Sequence, residues 1–392
     1  MNNRAKRTCA GVVLLTIAIA GCRKTANSPV RPNPTPATSA SQTALNHPEG
    51  GTAAPLTQTK YFSGSIGTSL DLQMKLVSSG EQLTGNYYYQ RIGTRINLRG
   101  TLDKEGNVTL DEFDPAGKQT GLFKGLWQVD KNDGRVTIAG NWSKPPGDKA
   151  ADKKTAFSIH EQPIYLSGDA DVVSKQIKES NKKLVYEISA EYPQINGTSN
   201  PNFEKFNQAV RAPVLRNVAE FKKLVAGEPD QEPRPEDSMH SELQVGYEIA
   251  LAQDDLVSVL ISISDYYQGA AHPNGHSEVV NFDLKNGKLL KFSDLFKPGA
   301  KYLPVISTYC VADLKKQSKD KQGMLDDQSI NTGAAPSPKN YHSWTIRRDG
   351  LGIEFDPYQV GPYAAGAQTV VVPYSILKEL INPESPIAQF AK

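Results

Sequence analysis

Cysteine is nearly absent: 392 residues hold only Cys9, Cys22 and Cys310. A disulfide-stapled scaffold is therefore excluded. A strong charge of one sign is missing too. The 44 basic residues face 42 acidic ones, which argues against nucleic-acid binding, since that needs a concentrated basic surface. The sequence also lacks a phosphate-cradling glycine loop and a dinucleotide fingerprint. The serine-rich stretch around Ser258, Ser262 and Ser264 is not a Gly-x-Ser-x-Gly elbow, so serine hydrolysis has no motif behind it. At this length two ordinary domains plus appendages are expected.

The first residues have their own character. Arg4, Lys6 and Arg7 form a cationic start, and Gly11–Ala20 is apolar but too short to span a bilayer comfortably. The run Ile19-Ala20-Gly21-Cys22 resembles the lipobox of bacterial lipoproteins. That resemblance implies cleavage of residues 1–21 and acylation of Cys22; a plain secretory signal ending in cysteine is the alternative. Two or more acyl chains make a durable membrane anchor. Losing three basic residues leaves 41 basic against 42 acidic, a near-neutral chain. Only Cys310 then remains free, and its helical spacing with Leu303, Ile306 and Leu314 predicts a buried structural thiol. Residues 22–59 are rich in Pro, Ser and Thr with almost nothing bulky to bury, which reads as a linker. Extended at ~3.1 Å per residue it reaches on the order of 100 Å from the anchor. Arg23 after the cysteine favours an outer membrane facing the periplasm if the host is a proteobacterium.

Residues 60–162 read as all-β. Leu70, Leu72, Met74 and Leu76 alternate with polar residues, the period-2 signature of a half-buried strand. Similar runs follow, separated by turn signals at Ser79-Gly80, Glu105-Gly106, Pro115 to Gly117 and Asn132-Asp133-Gly134. The expectation is an antiparallel meander closing into a small barrel or sandwich. Glycines at 64, 100, 125 and 140 are placed to relieve crowding where strands bend. Tyr87, Tyr88 and Tyr89 alternate faces, either as a stacking platform or as core.

Residues 163–392 read as a second domain, 163–240 being a smaller subdomain and 241–392 the C-terminal one. Its pattern predicts an α/β sandwich of mostly antiparallel sheet with two or three helices, making the whole chain α+β. Leu184–Ile188 reads as a strand. Asn200-Pro201 opens a helix carrying Phe203, Phe206, Val210, Val214, Val218 and Phe221, with Gly227 ending it and Pro213 expected to kink or split it. Leu243, Val245, Tyr247, Ile249 and Leu251 share one alternation, which returns as Val257–Ile263. A loop over 269–276, a strand, and a two-residue Asn286-Gly287 hairpin follow. An amphipathic helix to about Lys316 and a polar, loop-like 317–340 come next. Three short strands and a closing helix at Tyr374–Leu380 complete the pattern.

Several motifs in this half occur in a recognisable order: Tyr267-Gln268-Gly269-Ala270-Ala271-His272-Pro273-Asn274, Asn281-Phe282-Asp283-Leu284, Asn286-Gly287-Lys288 and Asp294-Leu295-Phe296, then Phe355 to Gly366 and Val372-Pro373-Tyr374. They resemble the C-terminal domain shared by RsiV, a lysozyme-sensing anti-sigma factor, and PdaC, a peptidoglycan deacetylase. Leu184–Leu224 is similar to the smaller subdomain that precedes it. Ala270 stands where the usual run has a second glycine. The resemblance covers about half of the chain and implies an extracytoplasmic α/β module, which in RsiV binds lysozyme. PdaC's metal-binding Asp-Asp and His-x-x-x-His arrangement belongs to a separate domain and is not found here.

His272 and His276 are the candidates for metal or acid/base chemistry. Pro273 and Gly275 between them make the helix that an i, i+4 chelating pair needs very unfavourable. A structural turn with polar groups on its rim is the plainer reading, so no catalytic residue, metal or cofactor is expected. The candidate binding residues are Tyr266, Tyr267, His272, Asn274 and His276 on one loop and Tyr358 and Tyr363 on another. Tyrosines on stiff loops anchor proteins or glycans. The expectation is a non-enzymatic envelope module holding a lysozyme-like protein or peptidoglycan; the alternative is an envelope hydrolase using His272 or His276, with or without a metal.

Overall fold

The computed structural model describes residues 57–391 apart from 90–93, 132–133, 228–239 and 321–323. The proposed signal, acylated Cys22 and most of the linker lie outside the described residues, as do Asn132, Asp133 and the polar stretch 228–237. The described residues belong to one compact unit spanning 54–392.

Eight strands in chain order close into an antiparallel barrel: β1 (Thr57–Ile66), β2 (Leu70–Ser79), β3 (Gln82–Tyr89), β4 (Ile96–Leu102), β5 (Asn107–Phe113), β6 (Gln119–Val129), β7 (Val136–Ser143) and β8 (Thr155–Glu161). β1 completes the circle by pairing with β8, Phe62 opposite Glu161. Thr57-Gln58-Thr59-Lys60 has no apolar residue to mark it as strand, yet β2 takes up its backbone from Thr57 opposite Ser79 onward. Alternate side chains fill the interior, including Leu72, Met74, Leu76, Leu98 and Phe123, each at most 2% exposed. A Cβ on Gly100 would sit 1.8 Å from the Thr109 carbonyl oxygen, so the strands approach there at a distance only glycine permits. Tyr87 points inward and donates to the buried Glu112 carboxylate at 2.7 Å. Tyr88 points outward.

The second part is built on a seven-stranded sheet. A short β9 (Ile164–Tyr165) leads to β10 (Asp171–Asn181) and β11 (Tyr186–Asn196), then α1 (Phe203–Ala226), β12 (Ser241–Gln253), β13 (Leu256–Tyr266), β14 (Asn274–Asp283) and β15 (Lys288–Leu289). The order is β10-β11-β12-β13-β14-β15, with β11 parallel to β12 and β9 beside β12. β10 has little sequence signal because it is an edge strand burying only Val172, its lysines facing water. Pro193 is tolerated in β11 because pairing with β12 stops at Ala190. α1 packs across one face and runs unbroken through Pro213. The proline costs about 3 kcal/mol, whereas Phe206, Val210, Val214 and Phe221, all at most 2% exposed, return roughly 1.5–3 kcal/mol each.

The opposite face carries a second core. It is formed by α2 (Tyr302–Asp320), α3 (Asp327–Gly333), β16 (Trp344–Ile346), β17 (Gly350–Phe355), β18 (Gln368–Pro373) and α4 (Tyr374–Leu377). α3 escapes periodicity because it is short and buries little beyond Ile330; Asp326 caps it by accepting from Ser329 N at 2.9 Å. A bulge at Ala250 turns Leu251 away from Ile249 into this second core, so the alternation expected to hold both on one face breaks there. The turn before β15 also differs from expectation. The last pair is Asp283 opposite Lys288, leaving four residues, because the Asp283 carboxylate binds Asn286 through both backbone and side chain. Cys310 is fully buried, and burial pushes its thiol up to about 12.

The two layers are joined by a buried polar relay. Ser258 Oγ donates to Asn281 Oδ1 at 2.6 Å and accepts from Ile346 N at 2.8 Å, while Asn281 Nδ2 donates to Trp344 O at 2.8 Å. Ser258 is 0% and Asn281 2% exposed. Removing one member strands the others without water. Asn281→Ala is expected to lower unfolding free energy by about 2–4 kcal/mol in urea titrations, far more than a surface asparagine change.

Candidate functional site

The proposed site residues divide between the two faces of the sheet. β14 begins at Asn274, so Asn274, Gly275 and His276 are strand and not loop. His276 pairs opposite Ile263, a residue of the α1-side core. Its Nε2 lies 4.0 Å from Glu278, which is bonded by Arg216 and, at 2.6 Å, by Asn217 of α1. Tyr267 belongs with them, tilted against Phe221 at 5.4 Å between ring centroids. Burial, with Asp265 and Glu220 nearby, pushes its hydroxyl up to about 12. Asn274 pairs opposite Asp265, whose carboxyl burial raises. For Glu278, burial acts upward, but the bonds from Arg216 and Asn217 outweigh it and hold the carboxyl below its usual range. Tyr266 ends β13 opposite Glu242 and is half-buried.

On the other side, His272, Tyr358 and Tyr363 come together. The His272 ring stacks on Tyr363 at 4.0 Å and 24°, and Tyr358 lies 5.5 Å from Tyr363. His272 Nδ1 is 2.7 Å from the Pro273 carbonyl, which can only accept. Nδ1 therefore carries a proton, and in the neutral ring Nε2 accepts from the Tyr358 hydroxyl at 3.0 Å. With that lone pair engaged and one ring face covered, the imidazole is organised as part of an aromatic platform. Such ring pairs are worth about 0.5–1.5 kcal/mol each.

The backbone under the platform is unusual. Tyr358 has φ +73° and is 60% exposed. A left-handed conformation costs a non-glycine residue roughly 1–3 kcal/mol, so neighbours must impose it. Gln359 does so from the next position. Its Nε2 donates to Gly333 O at 3.1 Å and Asn340 O at 2.9 Å, and its Oε1 accepts from Asp356 N at 3.3 Å. Gly333 must be glycine, because a Cβ would lie 1.8 Å from Gln359 O. Val360 is buried in the second core just beyond. Two residues not singled out in the sequence stand at the same edge: Asp356, and His342 with Nε2 3.4 Å from it. No local signal marks them, since they meet only through folding.

His272 and His276 thus face opposite layers. Among the described residues neither belongs to a group of three side chains placed to hold a metal; the one such group is Glu187 of β11, Glu242 of β12 and His240 just before β12, with Glu187 exposed and the other two partly buried.

Comparison with known proteins locates the family relations in the second half. Residues 179–275 match the family described as Deacetylase PdaC, and residues 293–375 match Protein of unknown function (DUF3298). The chain is 28% identical over 189 residues to the peptidoglycan-N-acetylmuramic acid deacetylase PdaC of Bacillus subtilis, covering 46% of this chain and 40% of that protein. It is 26% identical over 113 residues to the immunogenic protein MPT64 of Mycobacterium tuberculosis, covering 29% and 47%. The chain therefore spans less than half the length of these relatives. A crystal structure of a DUF3298 family member from Bacteroides fragilis aligns with TM-score 0.42 at 16% identity, over 57% of this chain and 98% of that one. The resemblance read from the motifs after Tyr267 is present in these matches, and the barrel lies outside both matched segments.

Two outcomes follow. Tyr358→Gly removes the left-handed strain and is expected to hold or raise the unfolding midpoint, whereas Tyr358→Ala, which keeps that strain while losing the ring contacts, lowers it by about 1 kcal/mol equivalent. Glu278, lowered in the folded state, contributes stability above its unfolded value of about 4.3 that is lost as pH falls through its folded value. Thermal melts of Glu278→Gln between pH 5 and pH 3 should therefore show a shallower acid decline than the parent.

Proposed function

We propose that this chain is a non-enzymatic binding module of the bacterial cell envelope, tethered through acylated Cys22, which holds a lysozyme-like protein at the His272–Tyr358–Tyr363 edge. The observation that carries this reading is Tyr358. A tyrosine that is 60% exposed and kept in a strained left-handed backbone by Gln359 contributes nothing to the core it stands on. Strain of this kind persists where a surface is preorganised for a partner. Exposed tyrosine on a rigid support is the residue type that anchors protein interfaces at low entropic cost. The matched PdaC and DUF3298 segments support an extracytoplasmic setting. Among the described residues no helix is long and apolar enough to cross a membrane; in this proposal the attachment is the lipid on Cys22.

The test is retention of the purified protein on immobilised lysozyme, with insoluble peptidoglycan in parallel. Lysozyme should retain the parent, and Tyr358→Gly should weaken retention at least tenfold while melting no lower. Retention on neither matrix overturns the proposal. Stoichiometric zinc in the purified protein, lost in a His272→Ala/His276→Ala variant, would instead favour the hydrolase reading.

A further inference from the structure

A cavity of about 610 Å³ lies where the barrel meets the seven-stranded sheet, walled by β1–β3, β10, β12 and the turn between β16 and β17. This is within the usual size of small-ligand sites, roughly 300–1,000 Å³. One of its walls is fixed by a hydrogen-bonded chain across the junction. Tyr88 accepts from Ser174 N at 3.2 Å and donates to Gln73 Oε1, and Gln73 Nε2 donates to Tyr247 OH at 2.9 Å. The rings and amides are thereby positioned before any ligand arrives.

The charges are not balanced. Lys75 and Arg95 share one carboxylate, Asp171, at 3.2 and 2.7 Å. Arg347 is matched by Glu248 and Asp349 at 3.5 and 3.8 Å. The Arg348 guanidinium carbon lies over the Tyr165 ring, 3.9 Å from its centroid, and among the described residues no carboxylate pairs with it. Lys75, Arg95, Arg347 and Arg348 thus line the cavity with Asp171, Glu248 and Asp349, and Arg348 is the cation left over by these pairings.

We infer that this cavity binds a carboxylate-bearing saccharide. An apolar ligand would cover the Arg348 guanidinium without giving it a counter-charge. A phosphate group is better served by clustered backbone N–H groups at a helix N-terminus, whereas these walls are strands and turns. Flat tyrosine rings take the C–H face of a pyranose, and the amides of Gln73, Gln162 and Asn86 offer donors and acceptors for its hydroxyls. The guanidinium of Arg348 supplies a planar fork for the carboxylate. The site shares no residue with the Tyr358 edge and stands or falls separately from it.

Isothermal titration of the full chain with trigalacturonate, and with the N-acetylglucosaminyl-N-acetylmuramic acid disaccharide, provides the test. Chitobiose serves as the neutral control and inorganic phosphate as the simple anion. Saturable binding of at least one carboxylate saccharide is expected, at least tenfold tighter than chitobiose or phosphate. Arg348→Glu, an exposed turn position, should weaken it tenfold or more, and Arg348→Lys should restore part of the loss. No saturable binding of either acidic saccharide, equal binding of chitobiose or phosphate, or unchanged affinity in a folded Arg348→Glu variant would overturn the inference. Tyr358→Gly should bind the saccharide as the parent does, which separates this site from the other edge.

Discussion

The relay through Ser258 and Asn281 is the constraint on which the second half depends. Both residues sit on the sheet face away from α1, and both reach out of the sheet to the backbone of β16. Apolar packing alone would let the small three-stranded sheet slide across the larger one, because dispersion and hydrophobic burial have little directional preference. Three hydrogen bonds in a water-free layer permit one placement, since any other leaves donors and acceptors unpaired. Ser343, bonding Ser277 O at 2.9 Å, adds another point of registration at the edge.

That registration brings chemistry from distant parts of the chain together. With β16 seated over β13 and β14, the loop after β17 is delivered beside the turn before β14. Tyr358 then meets His272, 86 residues earlier. The same seating holds the β16–β17 turn against β12 and the barrel, so that Arg347 reaches Glu248 and Arg348 covers Tyr165. One buried junction therefore sets two surfaces at opposite ends of one small sheet. The strain at Tyr358, a few kcal/mol at most, is small beside the packing of Val360 and the clamp of Gln359 that sustain it.

Much of the architecture was legible because burial imposes periods on the chain. The alternation of Leu72, Met74 and Leu76 announces a barrel strand, and the three- and four-residue spacing from Phe203 to Phe221 announces α1 even across Pro213. What escaped was what lacks a buried stripe or departs from its period. β10 and α3 are held by neighbours and a cap. The Ala250 bulge shifts Leu251 by a single residue, and the Asp283 side chain reshapes a turn that Asn286-Gly287 alone would make tighter. At the candidate site, local chemistry pointed to His272, Tyr358 and Tyr363, but it also gathered Asn274 and His276, which the pleat sends to the other face, and Tyr267, which packs on Phe221 there.

The order of elements, the all-β first half, the helix-bearing second half and the aromatic loops were determined by the sequence alone, because each depends on side chains close together along the chain. Barrel closure between β1 and β8, the division of two histidines between two layers and the cationic cavity were decided only by tertiary structure. The cavity, for example, joins Gln73 to Tyr247, 174 positions apart. At such separation the information lies in complementary surfaces and shared hydrogen bonds, which no local pattern records.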